Sequence, residues 1–167
     1  MRRFLPIVAL VLAGCRDALA VDGEVAAPGA PARIVLDETA WAGGGGMRHI
    51  VTIDSASGMF TRVDSTLTVG GGSSATVVSG RADTLMIRAL YRQAATRAFR
   101  AAPASYLRPR GIFVPPDPSW GSLTVTANQR TRRIDWEKGG GALPQAVGYA
   151  VCLARVAAGG LVTCLPD

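Results

Sequence analysis

Between residues 33 and 54 apolar and polar side chains alternate in two runs, RIVLDETAW and MRHIVTID, separated by four glycines. A period of two is the repeat of a strand with one buried face, so each run predicts a strand. In the second run Met47, His49, Val51 and Ile53 share one face, and Arg48, Ile50, Thr52 and Asp54 share the other. Ser55 to Gly58 reads as a turn, after which MFTRVDSTLTV extends an antiparallel meander. GGGSSATVVSG lacks the alternation and reads as a loop, with Ser79 placed to cap a helix. Across RADTLMIRALYRQAATRAF the period changes: Ala82, Leu85, Met86, Ala89, Leu90 and Gln93 fall on one helical stripe and arginines take the other.

Beyond the helix, RPRGIFVPPDPSWG is a proline-rich connection in which no helix can persist. A hairpin follows, with Leu123, Val125 and Ala127 alternating before its turn and Ile134 and Trp136 after it. Pro144 stands at the start of a second helix that puts Val147, Ala150, Val151 and Ala154 on one face and ends at Gly159-Gly160. Meander, helix, hairpin, helix is an α+β order. It predicts an antiparallel meander sheet of about four to five strands with two helices packed on one face.

The chain opens MRRFLPIVALVLAGC, two arginines and a short apolar run ending at a cysteine. The run is too short for a permanent bilayer helix, which needs about 20 apolar residues, and it matches a secretory leader. Leu12-Ala13-Gly14-Cys15 resembles the lipobox of bacterial lipoproteins, which implies that residues 1–14 are a signal peptide and Cys15 the lipidated first residue. Cleavage after Ala18-Leu19-Ala20 is the alternative, and both routes export the protein. Residues 15–32, small and punctuated by proline and glycine, read as a flexible tether from a membrane anchor, leaving 33–167 as one globular domain in the cell envelope.

Charge changes the picture little. The formal charge of +6 falls once the leader with Arg2 and Arg3 is removed, and all but Lys138 of the basic residues are arginine. NQRTRR could touch phosphate, but no aromatic interleaving or known module accompanies it, so nucleic acid is not an expected partner. Apart from Cys15, the cysteines are an even pair in an oxidising compartment, and a Cys152–Cys164 disulfide is predicted, closing a loop of about 13 residues for roughly 3 kcal/mol.

Catalytic signals are thin. His49 is the single histidine and reads as a partly buried structural residue on a strand. No G-x-S-x-G elbow, phosphate-binding loop or metal-ligand spacing occurs, so neither a metal nor a cofactor is expected and the chain reads as a non-enzyme. Asp135 and Glu137 share a strand face, where they are expected to pair with neighbouring arginines.

The order of elements is similar to that of emfourin, a small bacterial inhibitor of thermolysin-like metallopeptidases. The similar pieces are GGGGMRHIVTID, ADTLMIRALYRQA, DPSWGSLTVTANQRTRRIDW and ALPQAVGYAVCLA, which cover most of residues 33–155. Where that family tends to carry a Gly-Gly-aromatic turn, this chain has Gly43, Gly44, Gly45 and Gly46 followed by Met47. The resemblance implies a protein-binding module with an exported metallopeptidase, or another envelope protein, as partner. A glycine connection longer than a two-residue turn weakens a hairpin without helping the core. Trp41, Gly43 to Gly46 and Met47 are therefore the expected contact residues, as an exposed, mobile tip ordered by the partner. The alternative is a structural envelope lipoprotein in which the glycines are a slack turn and Trp41 packs on the sheet.

Overall fold

A computed structural model describes residues 32–42, 44–68, 70, 72–108, 119–137, 140–160 and 163–164. The leader, Cys15, the tether up to residue 31, Gly43 and part of the proline-rich connection lie outside the described residues. The strands are β1 (Arg33–Ala42), β2 (Gly45–Asp54), β3 (Met59–Thr68), β4 (Ser73–Arg81), β5 (Ser105–Tyr106), β6 (Ser119–Ala127) and β7 (Arg130–Glu137). The helices are α1 (Thr84–Ala95), α2 (Arg97–Ala101) and α3 (Gln145–Ala157). The architecture is α+β. All seven strands form one sheet in the order β4-β3-β2-β1-β6-β7-β5, antiparallel throughout except for the short parallel pair of β5 with β7.

The core follows from the alternation. Ile34 and Leu36 of β1, Val51 and Ile53 of β2, Leu123, Val125 and Ala127 of β6 and Ile134 of β7 are all buried. Against them stand Ile87, Leu90, Tyr91 and Ala94 of α1, Phe99 of α2, and Val147, Ala150, Val151, Leu153, Ala154 and Ala157 of α3. Removing a Leu- or Ile-sized side chain from water contributes about 1.5–3 kcal/mol, so this layer drives the fold. The predicted face of α3 is the buried one. The β6–β7 hairpin turns through Asn128 and Gln129, both left-handed at φ 49° and 64°, the conformation a two-residue hairpin turn with matching twist needs.

Four expectations are corrected. Among the described residues the sheet has seven strands and there are three helices, because GGGSSATVVSG holds most of β4 and the proline-rich connection is preceded by α2 and β5. Ser79 lies in β4 and caps nothing. Asp83 caps α1 instead, its carboxylate accepting from the N–H groups of Leu85 and Met86 at 2.8 and 3.3 Å. The buried stripe is rotated accordingly: Leu85, in the first turn, is 68% exposed, whereas Ile87 and Tyr91 are inside. The single long helix is broken at Thr96, whose hydroxyl donates to the Gln93 carbonyl and accepts from Phe99 N–H, ending α1 and capping α2.

Candidate functional site

The glycine run is shorter as a loop than the alternation implied. Ala42 pairs with Gly45 and Trp41 with Gly46, so two residues connect β1 to β2 and the last two glycines belong to β2. Gly44 takes φ 88°, which suits glycine in such a turn. Gly46 is needed for a different reason. A Cβ there would lie 2.9 Å from the Trp41 ring, so the indole rests on the strand backbone and leaves Trp41 half-buried and Gly46 buried. Trp41 is thus packed rather than held out on a slack loop. Met47 is 52% exposed, and Trp120 of β6, paired with Thr39, is 45% exposed on the same sheet face as Trp41.

On the opposite face, at the same end of the sheet, register assembles a polar row. Trp136 pairs with Gly121, Gly121 with Glu38, Glu38 with His49, and His49 with Asp64, carrying the row from β7 through β6, β1 and β2 to β3. Directly paired residues share a face, so these side chains line up although no local motif links them. Arg155 from the last turn of α3 reaches down to Glu38 with Nε and Nη2, at 2.9 and 2.5 Å. His49 Nδ1 lies 2.8 Å from Asp64, and Arg62 Nε donates to the other oxygen of the same carboxylate at 2.9 Å. The Trp136 ring covers Gly121, where a Cβ would stand 2.6 Å from one ring carbon.

A cleft of about 550 Å³ opens beside this row, lined among others by Glu38, His49, Ser119, Trp136, Leu143 and Arg155. Its electrostatics are internally paired. The His49 hydrogen bond, with Arg62 behind it, holds the Asp64 carboxyl below the usual carboxylate range. Hydrogen bonding to Glu38 raises the Arg155 guanidinium further above its ordinary value. Ion pairs this exposed contribute little to stability, but they fix side-chain positions. Chemically the cleft offers an aromatic wall, hydrogen-bonding groups and mutually compensated charge. Among the described residues no group of three or more His, Cys, Asp and Glu side chains could hold a metal ion.

The other sequence candidates separate. Asp135 accepts from the neighbouring Arg133 at 2.8 Å, as expected, whereas Glu137 pairs with Arg108, 29 residues away, at 3.4 Å. Cys152 of α3 and Cys164 form the expected disulfide, 12 residues apart. Cys15 and Gly43 lie outside the described residues. Glu38, Asp64 and Arg155 were not legible as site residues. Glu38 and His49 are 11 residues apart, and Arg155 is 117 residues from the carboxylate it holds, so only pairing register and helix placement bring them together. None of the helices among the described residues is long and apolar enough to cross a membrane. No family model, no curated protein and no solved structure matches the chain.

Proposed function

We propose that the chain is a non-enzymatic exported lipoprotein, anchored through Cys15, whose domain binds a protein partner at the hairpin end of its sheet. The observation carrying the reading is the exposure of large apolar side chains at this end of the sheet, Trp120 at 45% and Met47 at 52%, with Trp120 also lining the cleft. Exposed aromatic and thioether side chains beside a concave surface are the composition of a binding hot spot. The partner implied by the emfourin resemblance is an exported thermolysin-like metallopeptidase.

Inhibition of thermolysin by the purified protein tests the partner. Met47→Ala with Trp120→Ala removes two side chains that are each about half exposed, so inhibition should be lost with only a modest fall in melting temperature. Lack of inhibition by the unaltered protein removes the metallopeptidase from the reading. Mass spectrometry of membrane fractions tests the anchor: an acylated Cys15 is expected, and a soluble chain beginning at Val21 defeats it. A structural envelope lipoprotein is the second reading, favoured by one contact, the packing of Trp41 on Gly46. It predicts that the Met47 and Trp120 substitutions leave every partner-capture assay unchanged.

A further inference from the structure

Among the described residues β4 is an edge strand without the usual protection. It pairs there with β3 on one side only, and Ser73 to Ser79 are all exposed, with Val77 at 63% and Val78 at 36%. Natural edges are normally blunted by lysine, proline or a bulge. Here SSATVVSG contains no charged residue and no proline, and the register with β3 runs unbroken from Ser73 to Arg81.

The ladder decides which backbone groups are unpaired. Thr68 N–H bonds to the Gly72 carbonyl and Ala82 N–H to the Gly58 carbonyl, one at each end of the β3–β4 register. Hydrogen-bonded pairs alternate with non-bonded ones in an antiparallel ladder. Ser74, Thr76, Val78 and Gly80 therefore turn their N–H and C=O groups to β3, while Ser73, Ala75, Val77 and Ser79 turn theirs outward.

We propose that this edge pairs antiparallel with β4 of a second copy, about a twofold axis through Thr76, so that two sheets become one. Outward-facing residues must meet outward-facing residues, and the register centred on Thr76 uses the whole run. It sets Ala75 opposite the partner's Val77, Ser73 opposite the partner's Ser79 and Thr76 opposite the partner's Thr76. Up to about eight backbone hydrogen bonds form, two for each bonded pair. A register centred on Val77 loses the Ala–Val contact and brings Ser73 against the partner's Arg81. Charge also selects a second copy. The chain carries a formal +6, which opposes self-association over basic surfaces, but β3 and β4 hold only Arg62, Asp64 and Arg81, and Arg62 and Asp64 neutralise each other at 2.9 Å.

Sedimentation equilibrium of the full chain in detergent, over about 1–300 µM, should show twice the chain mass at the upper end. Amide exchange gives the residue-level signature: Val77 and Ala75 amides should become protected only as the dimer forms, while Ser74, Thr76 and Val78 amides are protected at every concentration. Ala75→Pro removes an outward donor without touching the β3 ladder, a position where an edge strand tolerates proline. That variant should sediment as a monomer with an unchanged circular dichroism spectrum, and Val77→Thr, neutral and β-branched, should keep the dimer. A monomer across the whole range, or a dimer whose Val77 amide exchanges freely, overturns the proposal.

Discussion

Gly121→Ala is a small change with a sign that depends on one aromatic ring. Gly121 is buried in β6 beneath Trp136, and an added Cβ would stand 2.6 Å from one ring carbon and 2.9 Å from the indole nitrogen. A real Cβ cannot occupy that space unless the ring moves. Forcing a methyl into a packed site costs about 1–3 kcal/mol. If the indole instead swings into the cleft and exposes roughly 100 Å² more apolar surface, the loss is about 2.5 kcal/mol, in the same range. Alanine recovers about 0.5–1 kcal/mol of the backbone entropy that glycine forfeits in a strand. The net expectation is a destabilisation of about 1–2 kcal/mol, a fall in melting temperature of roughly 3–8 °C. Urea and thermal unfolding measure it, and a double-mutant cycle with Trp136→Ala isolates the ring's part. With the ring gone, Gly121→Ala should be neutral or stabilising. The reasoning is refuted if Gly121→Ala stabilises the unaltered protein, or if it costs the same whether or not Trp136 is present.

Three further outcomes are expected. The Tyr91 hydroxyl is buried, 2.8 Å from Ser55 Oγ and 3.3 Å from the Thr126 carbonyl, so Tyr91→Phe should cost about 1–2 kcal/mol at neutral pH. Burial raises the Tyr91 pKa above 10.0, so the unfolded chain loses that proton first; stability present below about pH 10 falls as pH rises through this range, and the gap between wild type and Tyr91→Phe should narrow there in alkaline unfolding curves. Replacing both Cys152 and Cys164 by serine should cost about 3 kcal/mol, and reductant should remove a matching amount from the wild type while leaving the double variant unchanged. Gly46→Val should expel the Trp41 ring, seen as a red-shifted fluorescence emission, at a cost of about 1 kcal/mol; an unshifted spectrum in that variant means the indole was not resting on Gly46.

The sequence alone determined the elements whose one buried face leaves a periodic trace. β1, β2, the β6–β7 hairpin and the inner face of α3 were readable because Ile34, Leu36, Val51, Ile53, Leu123, Val125, Val147 and Ala150 each recur at the period of their element and each end buried. The disulfide was readable from the even pair of cysteines that remains once Cys15 is set aside. Tertiary structure decided the rest. β4 is exposed along Ser73 to Ser79, so no alternation of apolar and polar residues marks it, and its extended state follows from pairing with β3. The buried side of α1 was set by where the Asp83 cap starts the helix and by the Ser55 hydroxyl that receives Tyr91, neither of which is a periodic signal. Likewise the four glycines read locally as slack, whereas cross-strand register makes Gly45 and Gly46 strand residues and lays the Trp41 ring on Gly46. The Glu38–His49–Asp64 row has the same origin: strands deliver side chains to a common face by pairing, and pairing joins residues that sequence separation keeps far apart.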